Sequence, residues 1–167
     1  MKKFISIPIG TIFSSIIFFA ACTPTQNTPT TIKKESALIV IKSPKLSYAD
    51  QGFIFIKPNE TKVEIYSNGE ALMRLKISSN QICMSSLTCL SKLQFNQEIL
   101  NKDYPPNLLE NVFKGEPIFG GKGLIKKDNG FIQRIKGSTY DIEYKVLNSN
   151  IVFRDKISNI LIKITPI

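Results

Sequence analysis

The chain has 167 residues, 22 of them Lys or Arg against 13 Asp or Glu, for a net charge of +9, and it contains no histidine. Without histidine the usual general base and the commonest metal ligand are gone, and a Ser-His-Asp site with them. Nucleic acid is a poor partner as well, because arginine, the residue for bidentate base contacts, occurs only at Arg74, Arg134 and Arg154.

The first element is an apolar run from Phe4 to Ala21, preceded by Lys2 and Lys3 and closed by Ala20-Ala21-Cys22. A cationic start, an apolar middle and small residues before a cut make a secretory signal, here residues 1–21. A cysteine directly after the small residues is the pattern of a bacterial lipoprotein, in which Cys22 takes the acyl chains and becomes the first residue. The alternative is an uncleaved anchor, since the run has 18 residues, near the lower limit for a span, although Pro8 and Gly10 interrupt it. Loss of Lys2 and Lys3 with the signal lowers the net charge from +9 to +7. Such a surface suits anionic lipid headgroups or acidic polymers, or else scattered lysines simply solvate it.

Residues 22–36 are read as the lipidated N-terminus and a flexible tether. Thr23 to Glu35, TPTQNTPTTIKKE, holds too few apolar residues to pack a core and could reach about 45 Å when extended. Residues 37–167 then form one domain.

From Ala37 onward the two-residue period of strands dominates. The runs ALIVIK and GFIFIK end at Ser43-Pro44 and Pro58-Asn59. In KVEIYSNGEALMRLKI, Val63 and Ile65 share a face, as do Met73, Leu75 and Ile77, with Glu64, Arg74 and Lys76 opposite. Asn68-Gly69 between them predicts a hairpin, because both central positions of a type I′ turn need positive φ.

The period then changes. Ser91 is placed to cap a helix carrying Leu93, Phe95, Ile99 and Leu100 near one stripe. PPNLLENVFKG fits a second, with proline at its start and Gly115 just past its end. Strands resume after the flexible link Gly120-Gly121-Lys122-Gly123. LIKK and FIQRIK flank Asp128-Asn129-Gly130 as a second hairpin, and TYDIEYKV, IVFRDK and ISNILIKITPI follow. The expected class is α+β, mostly β: an open antiparallel half-barrel with short helices as a lid or plug. Cys83 and Cys89 are an even pair, read as a disulfide closing Met84 to Thr88 or as two separately buried thiols. Two thiols without histidine leave a zinc site half empty.

No catalytic residue, metal site or cofactor is expected. No serine sits in a nucleophile turn, and Gly120, Gly121 and Gly123 miss the phosphate-cradle spacing. Asp141 and Glu143 share a strand face, but Lys145 continues the row, which is the pattern of a solvated face. Binding suits the chain better. A bent sheet with one apolar face makes a cleft for acyl chains, where each buried methylene contributes about 0.8 kcal/mol. The same residues could equally be a filled core. Candidate cavity residues are Phe53, Phe55, Val63, Ile65, Met73 and Leu75 on the first strands and Ile142 and Tyr144 on a later one. Leu108, Leu109 and Phe113 would come from the lid. Register is needed to decide between Phe53 and Ile54 as the inward residue.

The stretches GFIFIKPNETKVEIYSNGEALMRLKI, LLENVFKGEPIF and YDIEYKV…DKISNILIKI resemble the superfamily of the outer-membrane lipoprotein receptor LolB and the periplasmic carrier LolA, over most of Ala37 to Ile164. The resemblance implies an open β-barrel whose helical lid covers an apolar cavity for the acyl chains of lipoproteins. It also implies a lipid-anchored protein facing the periplasm from the outer membrane, with acylated lipoproteins or other lipids as ligands and a periplasmic lipoprotein carrier as partner. Thr23 after the lipidated cysteine is compatible with release to that membrane. One departure stands out: the receptor carries a longer loop with an exposed leucine where this chain has the tight, polar Ser67-Asn68-Gly69-Glu70. The other reading is a non-catalytic structural or accessory envelope lipoprotein with a filled core.

Overall fold

The computed structural model describes residues 33–85 and 88–167. The expected signal segment, Cys22 and the tether up to residue 32 lie outside the described residues.

Among the described residues, eleven strands form one antiparallel sheet. The first six are β1 (Lys33–Lys42), β2 (Ser47–Lys57), β3 (Glu60–Ser67), β4 (Glu70–Ser78), β5 (Gln81–Met84) and β6 (Thr88–Ser91). Two helices follow, α1 (Lys92–Ile99) and α2 (Leu108–Lys114), and then β7 (Leu124–Lys127), β8 (Gly130–Lys136), β9 (Asp141–Leu147), β10 (Asn150–Asp155) and β11 (Ile160–Pro166). The order across the sheet is β6-β5-β4-β3-β2-β1-β11-β10-β9-β8-β7. Two meanders therefore meet at the centre, where the first and last strands pair, and β6 and β7 are left as the edges of an open half-barrel.

The turns follow their local chemistry. Asn68 and Gly69 adopt φ of 52° and 83°, so the predicted hairpin is present. Lys127 pairs with Gly130, which makes Asp128-Asn129 the second turn. Gly52, in mid-strand, lets two strands approach: a Cβ there would lie 2.2 Å from the Glu64 carbonyl oxygen.

The inner face is one apolar surface. Ile39 and Ile41 of β1, Ile54 of β2, Val63 and Ile65 of β3, Leu75 and Ile77 of β4 and the isoleucines of β11 are all buried. The helices lie against it. Ser91 caps α1 with a reciprocal Ser91–Gln94 box, and α2 ends at Gly115 in the left-handed region, φ 69°.

Four expectations need correction. Phe53 and Phe55 do not face the interior: Ile54 pairs with Val63 and Gly52 with Ile65 on the inner side, which turns both phenylalanines outward beside Glu64 and Lys62. Their rings are covered instead by ammonium groups, with Lys34 Nζ 4.4 Å from the Phe53 centroid and Lys62 Nζ 4.2 Å from that of Phe55. The tether is shorter than 22–36, because Lys33 to Ser36 already pair with Ile56 to Phe53. Leu93 of α1 is 59% exposed, since the buried stripe runs through Lys92, Phe95 and Asn96 and Leu93 falls off it. The second helix starts at Leu108 behind Asn107, leaving both prolines in the preceding turn.

Candidate functional site

Nine of the predicted cavity residues come together. Val63, Ile65, Met73, Leu75, Ile142 and Tyr144 from the sheet and Leu108, Leu109 and Phe113 from α2 are all buried, Met73 the least so at 6% exposed. They form a packed core and not an open cleft. Between sheet and lid lies a gap of about 10 Å³, lined by Ile41, Leu46, Met73, Leu75, Met84, Phe95, Leu100 and Leu109. That is the size of one water, yet every lining side chain is apolar, so nothing there would hold a water.

Two of these side chains also face outward. Met73 and Met84 line a surface groove of about 360 Å³ with Tyr48, Ala71, Leu72, Arg74 and Ser85. The methionine pair thus separates an open groove from an apolar interior, and unbranched thioethers are the side chains best able to swing aside. Leu72, 54% exposed, lies three residues beyond the polar Asn68-Gly69 turn at the lip of this groove.

The lid is attached unevenly. At one end the loop between α1 and α2 is tied to the sheet by hydrogen bonds. The buried Tyr104 hydroxyl donates to Asp155 Oδ2 at 2.5 Å, the Asn101 amide donates to the Thr139 carbonyl and the Ser158 hydroxyl, and Thr139 donates to Asp103. Burial and the Asp155 carboxylate push the Tyr104 phenol far above its ordinary value. Burial raises the Asp155 carboxyl, but hydrogen bonds donated by Tyr104, by the Asp141 N–H and by Ser158 outweigh it and hold the group below its ordinary range. Tyr104 also packs edge-on against Phe153, with centroids 5.9 Å apart.

Within the lid, Lys92 joins the two helices: its buried ammonium donates to Glu110 Oε2 at 2.6 Å and to Asn107 Oδ1 at 2.9 Å. Lys114 holds the other Glu110 oxygen at 2.6 Å. Against β1 to β5, by contrast, residues 93–113 make no side-chain hydrogen bond among the described residues, and the seam consists of Phe95, Leu100 and Leu109 meeting Ile41, Leu46, Met73 and Met84. The lid is latched by side-chain hydrogen bonds at the Tyr104 end and meets the methionine end through apolar side chains, while α1 itself continues directly from β6, which pairs with β5, and its Lys92 N–H donates to the Asn80 carbonyl.

Cys83 and Cys89, directly opposite in the β5–β6 register, are joined as a disulfide. Sequence reasoning missed Tyr104, Asp155, Leu46, Tyr48 and Met84. Met84 reads in the sequence as loop between the two cysteines, and a loop tyrosine and a strand-end aspartate 51 positions apart reveal their pairing only once the chain between them is folded. No protein-family model matches this chain, and comparison with curated proteins gives no match either.

Proposed function

We propose that this domain takes up an acyl chain between the inner sheet face and the α1–α2 lid, as a lipid-anchored protein of the outer membrane serving lipoprotein sorting or transport. The uneven attachment of the lid carries the reading. With the lid fixed at the Tyr104–Asp155 latch and at the β6–α1 junction, the apolar side-chain seam at Met73–Met84 between these two attachments is the part that can open. The gap of about 10 Å³ beneath the lid is too small for a fatty tail, so uptake there requires the seam to open, and the tail replaces lid-to-sheet contacts with its own. Ten buried methylenes contribute roughly 8 kcal/mol toward that exchange. Catalysis forms no part of the reading.

The filled interior itself favours a second reading, a non-catalytic structural or accessory envelope lipoprotein. Native mass spectrometry of the protein carrying Cys22→Ala, after incubation with a triacylated peptide, separates the two. A retained acyl adduct that is lost when Met73 and Leu109 are cross-linked as a cysteine pair supports uptake. No adduct, or one indifferent to the cross-link, leaves the second reading.

A further inference from the structure

The outer face of the sheet divides its cations into two sets. On β3, β4, β8 and β9 they are matched by carboxylates: Lys62 and Arg74 with Glu64, Lys76 with Glu60, and Arg134 and Lys145 with Glu143. Over the central strands they are not. Lys42, Arg154, Lys156 and Lys163 are exposed, and none has a carboxylate oxygen within 4.0 Å among the described residues.

Register brings these cations together. Lys42 of β1 and Arg154 of β10 both pair with Leu161 of β11 and so flank it in one cross-strand row, their Cα atoms about 10 Å apart. Lys163 lies two residues along β11, about 7 Å away on the same face. Between and beside them the floor is aliphatic: Leu161, Val40, Val152 and Leu38, the last 47% exposed. Two shallow grooves cover this area, one of about 360 Å³ with Lys42, Arg154 and Lys156, the other of about 300 Å³ with Leu38, Val40 and Lys163. Three carboxylates border them without neutralising the patch. Glu143, opposite Arg154 in the β9–β10 register, is already held by Arg134 and Lys145. Asp155 is buried, its oxygens accepting from Tyr104 and from the N–H groups of Asp141 and Ile157. Asp50 pairs in register with Ile39, on the inner side of β2.

We propose that this outer face, over β1, β11 and β10, rests on a bilayer surface that contains anionic lipid. Unmatched cations over exposed aliphatic side chains complement phosphate headgroups above acyl tails, and each such Lys or Arg raises membrane affinity about fivefold. The position in the chain agrees. The strand presenting Leu38 and Lys42 begins at Lys33, and the ten residues from Thr23 to Ile32 allow Cys22 at most about 40 Å from it. The proposal rests on the membrane-held part of the reading above and not on acyl uptake: a sheet lying on its outer face leaves the lid and the Met73–Met84 seam turned to the periplasm.

The test uses the full chain bound to vesicles of phosphatidylcholine with or without phosphatidylglycerol, carrying an environment-sensitive NBD probe at Leu38→Cys or, as a control on the lid, at Leu93→Cys. A blue shift and slowed dithionite quenching at residue 38 only, only with phosphatidylglycerol and reversed by salt, is the expected result. The triple substitution Lys42→Glu, Arg154→Glu and Lys163→Glu loses that shift, while Lys62→Glu with Lys76→Glu keeps it. A probe at 38 indifferent to anionic lipid, or protected by an acidic polypeptide and not by vesicles, overturns the proposal. Failure of membrane anchoring reads out separately, as loss of retention on phosphatidylcholine alone.

Discussion

The Tyr104 hydroxyl donates to Asp155 Oδ2 at 2.5 Å across 51 residues of sequence, tying the loop between the helices to the β10–β11 turn. The same aspartate accepts the N–H of Asp141 and of Ile157, so one carboxylate fixes the lid, the start of β9 and the turn after β10. Tyr104→Phe keeps the ring against Phe153 but leaves a buried carboxylate oxygen without its donor. A loss of about 1–3 kcal/mol in urea unfolding is expected. An unchanged midpoint would mean the latch bears no load.

Acid acts on the same group. Asp155 and Glu110 both titrate below their ordinary values of 3.8 and 4.5: burial raises each, and hydrogen-bonding partners, Tyr104 for Asp155 and Lys114 with Lys92 for Glu110, outweigh it. A depressed carboxyl contributes stability that is complete above its unfolded pKa and is lost as pH falls through the folded value. Stability should therefore hold at neutral pH and fall below pH 4.5. The gap between parent and Tyr104→Phe should narrow as pH falls below 3.8, the ordinary Asp value. Equal gaps at neutral and acid pH would refute the assignment to Asp155.

Lys92 is 4% exposed and spans from α1 to Glu110 on the second helix and to Asn107 just before it. Lys92→Ala removes half of the Glu110 pairing, and because Lys114 remains, the cost should lie near the lower end of the roughly 3–5 kcal/mol for breaking a buried pair. Hydrogen exchange should localise the loss to residues 92–114. A uniform loss over the sheet would argue against the lid as a unit.

Gly52→Ala would place a methyl 2.2 Å from the Glu64 carbonyl oxygen and 2.9 Å from Ile39 Cδ1. Backbone cannot yield as a side-chain tip can, so a penalty of about 1–3 kcal/mol is expected, read as a lower thermal midpoint. Alanine tolerated without loss would show that β2 and β3 can separate there.

Reduction of Cys83–Cys89 opens a loop with a sequence separation of 6. Chain entropy for so short a loop gives about 2 kcal/mol, so the reduced protein should unfold at lower urea while the native fold persists at low denaturant. Collapse of the fold on reduction would assign the bond a larger role than closing β5 onto β6.

Much of this architecture is local and therefore legible along the chain. Alternation in KVEIYSNGEALMRLKI names the strands, because successive side chains leave a strand on opposite sides. Asn68-Gly69 names the turn, because few other pairs accept positive φ, and Ser91 and Gly115 mark helix ends by the hydrogen bonds that backbone termini lack. Charge and the missing histidines bound the chemistry without any fold at all. Register, in contrast, belongs to the partner strand. GFIFIK is apolar at Phe53, Ile54 and Phe55 alike, and only pairing with Val63 and Ile65 turns Ile54 in and the two rings out to meet Lys34 and Lys62. Contacts across long stretches of chain were likewise set by the sheet closing at its centre. β1 against β11 brings Lys42 and Arg154 to either side of Leu161, and β10 carries Asp155 to Tyr104. The apolar side chains required a core; whether they enclosed a hollow or filled it depended on how two short helices pack, which is a property of volumes in three dimensions and has no period in the sequence.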